Sequence, residues 1–434
     1  MRERLIGAHT VLVVTLGALV GTIAPAQEAG AALTRADSAE REFETAAATH
    51  RWQFGHLLQS RGIPVHPWLE HTGVTTVDAV AAWLRRLDPS VALLMYGYQG
   101  DTLREWLISR RGLEAFGRQI VTPGVLDSLI AELRFALGVD AGQAARGFTA
   151  PRRNGKALPL AQTIRRLSEL LIPDSVSREI ARIKDLVVVP VLSIGTVPFA
   201  LLQPPGWGSP LIDSMRVYVA PSLFDLGADL PANPPGVVKA LVVGNPAALV
   251  RGLPPLPGAE EEARSVASLL GVPALTGGQA TKAVVLERAP QAEILFFATH
   301  GVASSANPLD DSFLALTPDS GSNGRWTARE IQGMRLRARL VVLSACQTGL
   351  GKEHDAGIIG MARAFQLAGA PQVVMSLWSV DDEATKDLMQ AFVRHLVTDE
   401  RDPASALRLA MLELRGRRPD PAVWSPFVVF GIPR

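Results

Sequence analysis

Two residues of this chain stand out as a pair able to do covalent chemistry. Cys346, the only cysteine in 434 residues, closes the run Ala338-Arg-Leu-Val-Val-Leu-Ser-Ala-Cys346-Gln-Thr-Gly349, and His300 closes Ile294-Leu-Phe-Phe-Ala-Thr-His300-Gly301. Each stands where an apolar, strand-like run gives way to a turn bearing glycine. In open parallel sheets those strand ends are where ligands bind. A thiolate at one end attacks a carbonyl carbon, while an imidazole at the other manages its proton and later donates to the leaving amine. Either residue alone is commonly structural, a small buried hydrophobe or a strand cap. Complementary chemistry at two such ends is what favours nucleophile and base. The natural oxyanion donors are the backbone N–H groups of Gly301 and Cys346, one such donor being worth about 3 kcal/mol of barrier. No third side chain stands out to orient the histidine, so the expected machinery is a dyad.

The elements that must position this pair alternate along the second half. Strands are predicted at Ala240–Val243, Ile294–Ala298, Leu340–Leu343, Val373–Leu377 and Val428–Phe430. Helices are predicted at Ala259–Leu270, Lys282–Arg288, Ile358–Leu367, Ala384–Leu396 and Ala404–Leu414, and a hairpin around Phe313–Leu316. Continuous apolar strands between amphipathic helices imply a parallel sheet covered on both faces. Gly369 is the stop after the post-cysteine helix.

The first half reads as a further α/β unit. A helical pattern from Thr75 leads into the apolar run Val91–Tyr96 and the alternating Leu103–Ile108, then helices near Gly124–Leu137 and Leu158–Leu171 and strands at Asp185–Pro190 and Met215–Ala220. Leu230-Pro-Ala-Asn-Pro-Pro-Gly236 breaks the pattern as a linker. The expected organisation is therefore 1–26, 27–73 (helical), 74–229, the linker 230–236, and 237–434.

Composition bounds the rest. The chain is 47% hydrophobic and 20% charged with a net charge of +1, which describes a globular protein with no global attraction to nucleic acid. No His/Cys/carboxylate cluster has metal-ligand spacing, and no glycine fingerprint or Walker-type loop asks for a nucleotide cofactor. Met1-Arg-Glu-Arg4, an apolar run from Thr10 to Ala24, and Ala24-Pro-Ala26 read as a secretory signal cut after Ala26. Left uncut, it would be a membrane anchor. Either way the folded part is expected outside the cytoplasm, periplasmic or secreted.

Several segments together resemble the CHAT domain of clan CD cysteine peptidases, relatives of caspases and separases. They are Phe297-Ala-Thr-His-Gly301, Ala328-Arg-Glu-Ile331, Leu340-Val-Val-Leu-Ser-Ala-Cys-Gln-Thr-Gly-Leu-Gly351, Gly360–Ala370, Ser376-Leu-Trp-Ser-Val-Asp-Asp-Glu-Ala-Thr385 and Trp424-Ser-Pro-Phe427. The separation of His300 and Cys346 is near the spacing of about 50 residues found in caspases. The resemblance implies a caspase-like three-layer α/β/α sandwich with a mostly parallel sheet, preceded by a degenerate protease-like α/β half. It also implies a cysteine endopeptidase acting on a protein or peptide without a cofactor. Asp355-Ala-Gly357 stands where many relatives have Gly-Glu-Gly, and no tetratricopeptide array is found in this chain, so an activating partner is not identified.

Separases favour a basic P1 residue and carry an acid in a segment similar to Leu377-Trp-Ser-Val-Asp-Asp382. The resemblance thus points to Asp382 first and Asp381 second as substrate-binding carboxylates for Arg or Lys. The competing expectation is that one of them caps the following helix. Asp310 and Asp311 are a weaker alternative, more simply a solvated turn, and His354 and His395 read as surface residues. A catalytically silent caspase-like scaffold or interaction module is the alternative function, and a doubly wound ligand-binding domain the third reading.

Overall fold

The structure is a computed structural model that describes residues 36–53, 74–139, 158–223, 226, 239–247, 253–304, 307–344, 352–354, 357–378, 381–398 and 402–433. Cys346, the 1–26 stretch and the 230–236 linker lie outside the described residues. Helix α1 covers 36–53 and α2 Val77–Leu84. Then follow β1 (Val91–Gln99), β2 (Thr102–Ser109), β3 (Gly112–Ile120), α3 (Pro123–Ala136), α4 (Leu160–Leu171), α5 (Asp174–Ile180), β4 (Asp185–Val189) and β5 (Arg216–Val219).

The second half runs β6 (Ala240–Pro246), α6 (Pro257–Leu270), β7 (Ala274–Gly277), α7 (Lys282–Arg288), β8 (Ile294–Ala298), β9 (Gly301–Val302), β10 (Phe313–Ala315), β11 (Arg325–Thr327), α8 (Ala328–Gln332) and β12 (Leu340–Leu343). It closes with β13 (Lys352–His354), β14 (Gly357–Ile359), α9 (Met361–Leu367), β15 (Gln372–Ser376), α10 (Asp382–Thr398), α11 (Pro403–Arg417), α12 (Pro421–Trp424) and β16 (Phe427–Phe430).

Eleven strands form one sheet, in the order β3-β2-β1-β4-β5-β16-β15-β12-β8-β6-β7. It holds two parallel blocks of opposite sense. β1, β4, β5 and β16 run one way, and β15, β12, β8, β6 and β7 the other, meeting at the antiparallel pair β15–β16. The two halves therefore share a sheet, and the C-terminal ends of their strands lie on opposite edges.

Alternation along the strands separates two cores. Val242, Phe296, Ala298, Val342 and Val374 belong to one, with residues of α6, α10 and α11. Val243, Leu295, Phe297, Val341, Leu343 and Met375 belong to the other, with residues of α7, α8 and α9. A side-chain period of two on a sheet buried on both faces produces this division, and the result is three layers, helix, sheet, helix.

Three expectations need correction. The helix placed at Ile358 begins at Met361, because β-branched Ile358 and Ile359 pair in the β13–β14 hairpin that precedes it. The hairpin near Phe313 is the centre of a three-stranded sheet, β11-β10-β9. The last strand, β16, runs antiparallel to β15, a reversal made across the three helices α10, α11 and α12 that apolar pattern alone does not reveal.

Candidate functional site

His300 is two residues beyond Ala298, so the alternation of β8 directs it to the α6 and α10 face of the sheet. The half-buried ring places Nε2 2.7 Å from the carbonyl oxygen of Pro254, in the turn that leads into α6. A carbonyl only accepts, so Nε2 carries the proton and, in the neutral ring, Nδ1 is left with the free lone pair. The group that orients the ring is a backbone atom, the Pro254 carbonyl oxygen. The main chain is fixed as well: Ala315 N–H donates to His300 O at 2.9 Å, and Thr299 Oγ1 donates to Ala315 O at 2.6 Å.

This pairing bears on the oxyanion donor. Gly301 faces Leu314 across the β9–β10 ladder. With the neighbouring His300–Ala315 pair hydrogen-bonded, antiparallel alternation makes Gly301–Leu314 the non-bonded pair, whose N–H points away from β10.

β12, the strand that runs toward Cys346, lies between β8 and β15. Its C-terminal neighbours are thus the ends carrying His300 on one side and Asp381 and Asp382 on the other. Asp381 is spoken for: its Oδ2 accepts from Ala384 N–H at 3.2 Å and its carbonyl from Thr385 N–H at 2.9 Å, the N-cap of α10. Its carboxylate is 66% exposed, with Arg418 3.8 Å away. The second-choice specificity residue thus also caps a helix. Asp382 differs, because its Cβ packs on Gly258 in the first turn of α6, where an added methyl would come within 2.8 Å of it. That glycine lets the two helix starts approach.

The contact brings a residue that the sequence did not suggest. Glu260, Glu261 and Glu262 look alike on paper, yet Glu260 pairs with Arg264, Glu261 with Lys386 of α10, and Glu262 is buried to 2% exposure. Burial pushes the Glu262 carboxyl up to about 8; the nearby Ser344 hydroxyl opposes the rise and Asp382 adds to it. Neither Glu262 Oε1 nor Ser344 Oγ has a hydrogen-bond partner among the described residues. Ser344 is two residues before Cys346 in the chain. The only sequence trace of this arrangement is position, since the apolar stripe of α6, Ala263, Val266 and Ala267, includes Glu262 at its edge.

The remaining candidates are occupied elsewhere. Asp310 holds Arg329 through two bonds of 2.5 and 2.9 Å on an exposed turn, and Asp311 lies 3.9 Å from Arg325. His395 is half-buried against Glu413 at 3.3 Å, so it is less of a surface residue than expected. His354 lies in β13.

Sheet order, the two helical layers and a histidine at a central strand end define a caspase-like α/β fold. The sequence model of the CHAT domain matches residues 161–432, more than half of the chain, and the chain belongs to the CHAT domain family. Tetratricopeptide repeat protein 28 of Homo sapiens is 30% identical over 302 residues, 59% of this chain and 12% of that protein. The Mus musculus protein of the same name is 30% identical over 351 residues, 66% of this chain and 14% of that protein. The chain thus spans a small part of the length of these relatives. Among solved structures, the separase of the Saccharomyces cerevisiae separase–securin complex superposes with a TM-score of 0.51 at 10% identity, over 87% of this chain and 33% of that one. At that identity the likeness is one of fold.

Proposed function

We propose that this CHAT domain is a cysteine endopeptidase in which His300 serves Cys346 as base and acid. The observation that carries the reading is the Pro254 carbonyl 2.7 Å from His300 Nε2, which leaves Nδ1 as the proton acceptor at the C-terminal edge of the sheet. The Gly301 N–H supplies one oxyanion donor and the Cys346 N–H the other. Specificity follows from the buried acid: Glu262, with Asp382 beside it and Ser344, two residues before the nucleophile, close by, suits a basic P1 side chain, Arg or Lys. By analogy with the separase seen with securin, a protein partner is proposed to control the activity. The 1–26 stretch is proposed to direct the chain out of the cytoplasm, and an intact Met1 on cytosolic protein from the native cell would refute that part.

The experiment is digestion of a diverse peptide library by the full chain and by Cys346→Ala and His300→Ala. Thiol-dependent cleavage that both substitutions reduce by about 10³-fold or more, the double variant being little worse than either, supports the dyad. Undiminished cleavage by folded Cys346→Ala protein refutes it, and a folded wild-type chain with no cleavage favours a silent scaffold.

A further inference from the structure

At the opposite edge of the sheet from His300, a cavity of about 520 Å³ opens between α1 and the C-terminal ends of β1 and β4. In parallel strand pairs that edge is where ligands bind. The helix faces it with a polar stripe, Ser38, Arg41, Thr45, Thr49 and Gln53, recurring every three or four residues. The aromatic lining is fixed: Trp106 stacks on Phe116 at 5.6 Å, meets Phe43 of α1 edge-on, and donates its Nε1–H to Ala39 O at 2.9 Å.

Polar groups without partners converge on this space. Both ring nitrogens of His50, which is 3% exposed, the Tyr98 hydroxyl and Arg104 Nη1 all line the cavity and have no hydrogen-bond partner among the described residues. Single buried groups of this kind are rare in folded proteins, and each calls for an occupant. The local charge is uneven. Glu42 takes Arg104 Nε at 2.5 Å and also takes Arg118, so one carboxylate answers two guanidinium groups while Arg41 adds a third cation on the exposed side. Burial, with Arg363 nearby, holds His50 neutral down to about pH 4, so its ring presents one donor and one acceptor. Leu192 on the rim has φ 49°, a left-handed conformation that a branched side chain adopts only when its surroundings impose it and that clusters at ligand clamps.

We propose that this cavity is a binding site for a small organic anion, its carboxylate or phosphate held by Arg104 and Arg41 and its apolar or aromatic body against Trp106, with Tyr98 and His50 hydrogen-bonding to it. The site is independent of any peptidase chemistry at His300. Isothermal titration calorimetry of the full chain with sodium indole-3-acetate and with adenosine 5′-monophosphate tests it and tells the two head groups apart. Saturable one-to-one binding of either probe is expected, weakened about tenfold or more by Arg41→Ala and by Arg104→Met, as loss of a charge-assisted hydrogen bond implies. Arg104 also braces Glu42, so exposed Arg41 carries the test if the Arg104 variant does not fold. No binding of either probe at millimolar concentration, or binding that Arg41→Ala and Tyr98→Phe both leave unchanged, would overturn the proposal.

Discussion

His300 and Pro254 are joined ring to backbone, Nε2 to carbonyl oxygen at 2.7 Å. The bond fixes the tautomer before any substrate arrives, because the carbonyl can only accept. Nitrogen-15 NMR of histidine-labelled protein, read on the neutral ring, should therefore show His300 protonated at Nε2 and bare at Nδ1. The reverse tautomer would mean that the ring has turned, and the assignment of Nδ1 as base would fall with it.

Asp381 is expected to behave as a cap and nothing more. Its replacement by alanine should cost about 1 kcal/mol of stability through the lost bond to Ala384 N–H, while asparagine, itself a good cap, should cost much less. Neither substitution should change the preference among P1 residues. A marked loss of basic preference in a stable Asp381→Asn variant would return this residue to the pocket.

How far the sequence reached depended on whether a feature was a pattern or a contact. β8 and β12 were legible to the residue, because four- and five-residue apolar runs bounded by polar groups admit little else. The sense of β16 was not legible, since an apolar run has no direction. Pro254 was invisible for a different reason: its contribution is a carbonyl, which every residue has. Glu262 was hidden among three consecutive glutamates that only the approach of α10 over Gly258 tells apart.

Two buried carboxyls should give the folded chain an unusual dependence on pH. Glu262 is pushed up to about 8 and Glu105, on β2 opposite Gly117 of β3, to about 9, both chiefly by burial. Gly117 is the reason Glu105 fits, for a Cβ there would lie 2.4 Å from its Oε2. Below the ordinary glutamate value of 4.5 both states hold the proton, and the contribution to stability is complete. As pH rises, the unfolded chain ionises first, so the contribution is lost progressively and is gone above the folded values. Glutamine stays neutral throughout. In urea unfolding, Glu262→Gln should therefore gain on wild type by a few kcal/mol between about pH 4.5 and 8 and then level off. The gain of Glu105→Gln should extend about one unit higher. A difference that is flat with pH would show that the carboxyl is already ionised in the fold.

The same proton gives a signature for specificity. If a basic P1 side chain is read by Glu262, the carboxyl must ionise when that side chain enters, and below about pH 8 this costs one proton. The ratio of kcat/KM for an arginine substrate to that for a neutral P1 homologue should then rise by up to about tenfold per pH unit toward pH 8 and flatten beyond it. A pH effect that is common to both substrates cancels from the ratio. Glu262→Gln should lower the arginine rate by about 2–5 kcal/mol of transition-state stabilisation, since the incoming cation is left without its buried partner, and should abolish the slope. Asp382→Asn should lower the ratio yet keep the slope, because Glu262 still titrates. A ratio independent of pH in the wild-type chain, or a slope that survives in Glu262→Gln, would place recognition of the basic side chain elsewhere and leave Glu262 as a buried acid under the strand end.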